Sequence, residues 1–394
     1  MMALAGHDLR TGAPAEAEAL IGEARRRQRR RRRVVVALVA GLAALGVGVA
    51  TAVVETGGSA LKRASAPPHG AHSGLPVGPS VRLELAGSLA VGPRGELYVA
   101  APAQHRILVR LADGAFRDVA GNGKAGVAGA GGPAIDAELS DPTDLTFGPG
   151  GALYFVDGGR VRVIGANGVI RTIAGDGAGA SRPPGSPSPR VPNGTPARAA
   201  SLGPRPSIAL SPGRQLYLDT ANQLLRLASD GRLDTVATRR ESFTRVHVLP
   251  RSLDMNLGSL AVSGNGELYV AGFNGWALWR VAPSGRATYV GYDRGSGGST
   301  PDLVRGPHGA VFVANGSAVE RLVGTRARVA DRLEEVSGRA FFLTSFAFAP
   351  GGTVYADELP GHAGFEPLQR LVAWRQGHAK VLWQEPGRAG WGAR

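Results

Sequence analysis

The chain contains no cysteine, which excludes disulfide scaffolds, thiolate zinc sites and cysteine nucleophiles. Aromatic residues make up 6% of the sequence and charged residues 19%. Neither a long helical bundle nor a highly charged disordered chain has that composition. Lysine is nearly missing: Lys62, Lys124 and Lys380 stand against 42 arginines. In a chain this rich in alanine, glycine and proline, the arginine bias points to GC-rich coding rather than to a nucleic-acid surface. No HExxH, GxSxG, phosphate loop or pair of acids at a catalytic spacing occurs, so no enzyme class is indicated. No residue is assigned as catalytic, and no metal ligand or cofactor is expected.

Glycine and proline are abundant instead, 59 and 27 of 394 residues, and they punctuate a chain of many short elements. The net charge of +14 is uneven, because residues 1–33 hold nine arginines against four acids. Eight of those arginines lie between Arg25 and Arg33, directly before VVVALVAGLAALGVGVATAVV, residues 34–54, which carry no charge. A helix of that length covers about 30 Å, the hydrocarbon thickness of a bilayer. A preceding block of arginine marks the cytoplasmic side. Residues 1–33 are therefore expected in the cytoplasm and residues 34–54 as a single-pass signal-anchor, with everything beyond exported to the outside of a bacterial cell membrane. A cleavable signal peptide competes, since Ala50-Thr51-Ala52 resembles a cleavage site, but its apolar region would be only about 7–15 residues long. Residues 55–80 read as a flexible Gly/Pro/Ser linker.

The remainder, 81–394, is governed by a repeat. Six segments, starting at Ser88, Asp144, Ser207, Ser259, Asp302 and Ser345, each place an aliphatic–aromatic pair nine residues on, after a tight turn. The pairs are Leu97-Tyr98, Leu153-Tyr154, Leu216-Tyr217, Leu268-Tyr269, Val311-Phe312 and Val354-Tyr355. Each copy continues to a further apolar run with an arginine–aliphatic pair (Arg110, Arg162, Arg226, Arg280, Arg321, Arg370), and most then reach a glycine turn and a last alternating run. Four short strands per copy, repeated six times, predict an all-β, six-bladed β-propeller of antiparallel four-stranded blades.

The stretch VAGNGKAGVAGAGGPAIDAELSDPTDLTFGPGGALYFVDGGRVRVIGANGVIRTIAGDG, from Val119 to Gly177, resembles the NHL repeat, a family of six-bladed propellers used mainly for binding. Gln104-His105-Arg106-Ile107 resembles that family's Asn-His-Arg-Ile run. Two departures stand out. Ala130 precedes Gly131-Gly132 where the family has an acid, and the inner strands begin with serine or aspartate where it has glycine. Some propellers resembling this family are metal-dependent lyases with histidines around the channel. Here the histidines recur at no inner-strand position.

The long insertions, 122–141, 176–205 and 239–258, connect one blade to the next and are expected on the face that carries the binding site. The repeat-start residues Ser88, Asp144, Ser207, Ser259, Asp302 and Ser345 are expected at the channel mouth on that face. Asp144 and Asp302 are three blades apart and so face each other, an arrangement that could hold a hydrated cation, although solvated strand caps look the same in sequence. Phe273 and Trp276, in the loop GFNGW, are candidate aromatic anchors on the same face. The expectation is a non-catalytic module binding an extracytoplasmic protein, peptide or glycan. A metal-assisted lyase or hydrolase at the channel mouth is the alternative, as is a structural module of an envelope complex.

Overall fold

The computed structural model describes residues 75–84, 86–178, 189–220, 223–238, 259–271, 278–282, 286–291, 302–315, 318–323, 326–332, 341–360 and 369–385. These lie in one compact unit, 70–394. Segments 1–33 and 34–54 and the linker as far as residue 74 lie outside the described residues. Among those described, no helix is long and apolar enough to cross a membrane.

Six antiparallel meanders form six blades. Blade one runs Leu89–Val91, Leu97–Ala101, Arg106–Arg110 and Phe116–Ala120 from innermost to outermost strand. Blade two runs Pro142–Phe147, Leu153–Asp157, Arg160–Ile164 and Ile170–Ala174. Blade three runs Ser207–Leu210, Leu216–Thr220, Gln223–Leu227 and Arg232–Thr238. Blade four runs Leu260–Val262, Leu268–Ala271, Leu278–Val281 and Ala287–Gly291. Blade five runs Leu303–Arg305, Val311–Asn315, Ala318–Val323 and Arg326–Arg332, and blade six Phe341–Phe348, Val354–Pro360, Arg370–Arg375 and His378–Gln384.

The second strand of each blade is pressed between two neighbours, which is why Leu97–Ala101 is buried at every position rather than on alternate ones. The core is accordingly divided into six apolar clusters, one at each seam between adjacent blades. Tyr98, Tyr154, Tyr217, Tyr269, Phe312 and Tyr355 each pack against the following blade. The ring folds back over the turn six residues earlier. A Cβ on Gly92, Gly148 or Gly306 would come within 2.7, 2.7 and 2.6 Å of the ring of Tyr98, Tyr154 and Phe312. The fourth residue of each such turn has a left-handed backbone: Gly95, Gly151, Gly266, Gly309 and Gly352, and Arg214 at φ 69°.

Register corrects one part of the repeat alignment. Arg226, Arg280 and Arg321 lie opposite the aromatics Tyr217, Tyr269 and Phe312. Arg110 instead faces Leu97, Arg162 faces Phe155 and Arg370 faces Glu358. The third strands therefore enter at different registers, and the arginine–aliphatic pair marks three blades rather than six.

The described connectors also differ from free loops. Pro133-Ala134-Ile135-Asp136-Ala137-Glu138-Leu139 and Pro196-Ala197-Arg198-Ala199-Ala200-Ser201-Leu202 share the pattern PAxxAxL. Each makes a one-turn 3₁₀ helix, and its two patterned alanines and its leucine are buried. The hydrogen bonds repeat as well. Gly121 and Gly175 N–H donate to Ala134 and Ala197 C=O at 3.0 and 2.8 Å. Ala134 and Ala197 N–H donate to Gly168 and Gly231 C=O, both at 2.8 Å. Each segment is thus a strap along the outer edge of the blade it leads into. Thr195–Pro196 pairs with the outermost strand of blade three, Pro133 bridges to Val169, and Ser80–Val81 pairs with the outermost strand of blade one. Leu75, inside the segment read as linker, is already packed: its side chain enters the seam between blades one and two.

Candidate functional site

The channel is lined by the inner strands of all six blades and encloses a cavity of about 190 Å³. Its wall is mostly Leu, Val and Ala, with Ser88, Asp144, Thr146, Asp302 and Arg305 as its polar lining residues. One end holds the repeat-start residues. At the other, the Arg305 guanidinium donates to the Leu210 carbonyl of blade three at 3.3 Å.

The repeat-start side chains link the blades. Leu145 N–H donates to Ser88 Oγ at 2.9 Å, Leu303 N–H to Ser259 Oγ at 2.8 Å, and Leu89 N–H to Ser345 Oγ at 3.0 Å. The carboxylates do the same: Ile208 N–H donates to Asp144 Oδ2, and Phe346 N–H to Asp302 Oδ2 at 3.2 Å. In each case the acceptor belongs to one blade and the donor is the residue that follows the repeat-start position in the next. Glycine at these positions would offer no acceptor, which accounts for serine and aspartate here.

The serines also donate to the acids. Ser207 Oγ bonds Asp144 Oδ2 and Ser259 Oγ bonds Asp302 Oδ1, both at 3.1 Å, and Ser345 bonds Asp302 as well. Around the ring the order is Ser-Asp-Ser, then Ser-Asp-Ser, so the mouth repeats itself after half a turn. Asp144 has a left-handed backbone, φ 53°, at a register shift between Thr143 and Thr146. Aspartate tolerates that conformation better than most residues. Burial in the ring pushes Asp144 up to about 7, eased by the Ile208 N–H and raised further by Asp302. Burial also raises Asp302, against the hydrogen bonds it accepts.

The approach to Asp144 is held by a buried ion pair that the sequence did not disclose. Arg162 Nη1 lies 2.9 Å from Asp157 Oδ2, and neither side chain is exposed. Asp157 Oδ1 accepts Ser140 and Asp141 N–H at 2.7 and 2.9 Å, while Arg162 donates to Glu138 C=O at 2.8 Å. The pair therefore pins the end of the strap three residues before Asp144. Gln223 holds Val191 in the same manner on the strap into blade three, through 2.6 and 3.0 Å bonds. The recurrence of PAxxAxL 63 residues apart, equal to the spacing of the Tyr154 and Tyr217 pairs, is the signal from which the straps could have been read.

The structure brings Ser88, Asp144, Ser207, Ser259, Asp302 and Ser345 into one ring. Phe273 and Trp276 lie outside the described residues, as does the connector 239–258. Among the described residues, no three histidine, aspartate or glutamate side chains are grouped to hold a metal ion.

The Teneurin NHL domain matches residues 119–271. The six sheets show the six-bladed propeller expected from the sequence, and the part of it from 119 to 271 is similar to the NHL domain. No curated protein matches the sequence. Solved structures of similar shape include virginiamycin B lyase from Staphylococcus aureus, 13% identical over 73% of this chain and 84% of that one, TM-score 0.42. A streptogramin B lyase is 15% identical over 68% and 74%, TM-score 0.40. A Bacteroides thetaiotaomicron protein of unknown function is 12% identical over 76% and 73%, TM-score 0.45. No activity transfers at such distances.

Proposed function

We propose that this chain is a single-pass membrane protein that displays its propeller outside the cell as a non-catalytic recognition module. Its partner, a protein, peptide or glycan, docks at the face where the channel mouth opens. The NHL-type propeller supports a binding role in general. The observation that carries the finer reading is the hydrogen-bond ring: the polar side chains at the mouth are engaged in holding one blade to the next. They act as a frame, and a rigid frame under surface loops is what a recognition site requires.

The test is photo-crosslinking on intact cells, with a photoreactive residue in place of Ala125 on the mouth side, or of Ala112 in a turn on the opposite side. Adducts from position 125 are expected. Adducts from Ala112 alone would reject the chosen face.

A second reading is favoured by one feature, the opposed carboxylates of Asp144 and Asp302. Two oxygen donors across a channel suit a hard cation, and a metal-assisted lyase or hydrolase would need one. Elemental analysis of the purified full chain separates the two readings: stoichiometric, tightly held metal that is lost in an Asp144→Asn, Asp302→Asn double variant would favour catalysis.

A further inference from the structure

Six asparagines of the sequence precede a glycine. Four of these pairs lie within the described residues: Asn122-Gly123, Asn167-Gly168, Asn193-Gly194 and Asn265-Gly266. Such a pair can react with itself. The glycine nitrogen attacks the asparagine side-chain carbonyl carbon, the amide leaves as ammonia, and water opens the resulting ring to aspartate or isoaspartate. Glycine permits this because no side chain shields its nitrogen. All four asparagines are exposed, so exposure does not choose among them. Their hydrogen bonds do.

In three pairs the nucleophile is held elsewhere. Gly168 N–H donates to Gly165 C=O at 2.8 Å, Gly194 N–H to Leu233 C=O at 2.8 Å, and Gly266 N–H to Ser263 C=O at 3.0 Å. Gly123 N–H, by contrast, meets no acceptor among the described residues. The two oxygens on which charge would develop already have donors. Lys124 N–H donates to Asn122 Oδ1 at 2.9 Å, the atom that becomes an oxyanion when the nitrogen adds. The Arg106 guanidinium donates to Asn122 C=O at 3.2 Å. That carbonyl belongs to the peptide group whose nitrogen is that of Gly123, so a cation there stabilises the charge left when this N–H loses its proton. Donors preset on the atoms that gain charge lower a barrier of this kind.

Blade two repeats the frame with the product residue in place. Arg160 donates to Asp176 C=O at 2.7 Å, Ala178 N–H donates to Asp176 Oδ1 at 2.8 Å, and a glycine, Gly177, follows again. A carboxylate therefore fits such a frame. What it cannot keep is the bond that Asn122 Nδ2 donates to Asp136 C=O at 3.0 Å, which ties the start of the connector to the strap of blade two.

We propose that Asn122-Gly123 is a self-modifying site: Asn122 deamidates through the Gly123 nitrogen, which places a negative charge on the connector into blade two and releases its tie to the strap. A bond forms between Gly123 N and Asn122 Cγ, and the bond from Cγ to Nδ2 breaks. The Gly123 proton leaves with Nδ2 as ammonia, and one water molecule hydrolyses the ring. Neither a docked partner nor any segment outside the described residues is required.

The test incubates the full chain, purified in detergent, at mildly alkaline pH and maps it by mass spectrometry after digestion. Cleavage after Arg117 and Lys124 isolates Asn122 as the one asparagine of its fragment. Conversion at Asn122 is expected to run at least about fivefold faster than at Asn167, Asn193 or Asn265, equivalent to the about 1 kcal/mol of the hydrogen bond those three must break. In guanidinium chloride, with the fold lost, the four rates should converge. Asp176→Asn rebuilds the reactive frame in blade two, and position 176 is expected to return to aspartate as fast as Asn122 reacts. Hydrogen exchange at the amides of residues 122 and 126, which donate to Ala137 and Leu139 C=O, should quicken in the reacted chain and in Asn122→Asp. Equal rates at the four sites of the folded chain, a gap that survives in guanidinium chloride, or an inert position 176 in Asp176→Asn would overturn the site. Unchanged exchange would overturn the release of the strap.

Discussion

Asp144 and Asp302 are carboxylates placed where burial disfavours their charge, and this fixes how stability should respond to pH. The folded state keeps a proton on Asp144 up to about 7, whereas an unfolded aspartate loses it near 3.9. Between those values the folded chain binds more protons, so the stability they contribute is present at low pH and falls as pH rises towards 7. The Asp144→Asn, Asp302→Asn variant keeps the oxygen acceptors without the charge. Its melting temperature should change less than wild type between pH 5 and pH 8, and parallel curves would show that these groups do not titrate as described. Arg214 supplies a second test at this scale. It occupies with φ 69° the turn position that glycine takes in five other blades, and a left-handed side chain costs about 1 kcal/mol or more. Arg214→Gly should raise stability in urea unfolding by somewhat less than that, because glycine is more flexible when unfolded. A loss would mean that the arginine side chain contributes more than its backbone strain. Of these residues, the positions of the acids were legible in the sequence, because repeat phase alone puts them at the mouth. Their role as links was not, since it depends on which backbone N–H of the next blade comes within reach.

Among elements, the four strands of each blade were legible and the straps were not. Inner strands declare themselves by apolar runs between glycine turns, as in Leu97–Ala101. The straps have a 3₁₀ turn, proline and isolated buried alanines, which in sequence look like any loop. The third-strand register was not legible for a related reason: a one-residue shift such as that of Arg110 against Leu97 is set by packing rather than by the residue pattern. If the straps are structural, Leu139→Ala and Leu202→Ala, at 0% and 1% exposed, should each cost about 2–5 kcal/mol in chemical denaturation. Val127→Ala, 44% exposed in the same connector, should be nearly neutral. Equal, small losses from all three would return the connectors to the status of loops.

At the scale of the whole molecule, no strand among the described residues is shared between the ends of the ring. Blade six supplies all four of its strands from one continuous stretch. Closure instead rests on the apolar seam between blades six and one and on Gln369. Its Oε1 accepts Ala86 N–H at 3.0 Å, and its Nε2 donates to Ala86 C=O and to Asp357 Oδ2, both at 2.7 Å. Burial raises Asp357 to about 7, eased by Thr344 and Gln369. Gln369→Ala leaves the Ala86 groups and Asp357 without these partners, so it should destabilise by about 2–3 kcal/mol or more. A change under about 0.5 kcal/mol, the scatter of ordinary surface substitutions, would mean the seam closes through its apolar contacts alone. Repeat counting gave six blades, but closure could not be counted, because it pairs residues 283 apart in the chain.

The central claim is that the ring frames a recognition site at the channel mouth, and the most direct test is the affinity of the crosslinked partner, once isolated, for four variants of the full chain. The Asp144→Asn, Asp302→Asn pair alters the mouth side, and Trp276→Ala alters a residue that the repeat phase of the sequence assigns to the same face. Arg94→Ala and His308→Ala alter the turn face. The account predicts that Trp276→Ala weakens binding by about tenfold, near 1.4 kcal/mol, with the circular dichroism spectrum unchanged, and that both turn-face variants bind as wild type. Loss of binding confined to Arg94→Ala and His308→Ala would contradict it.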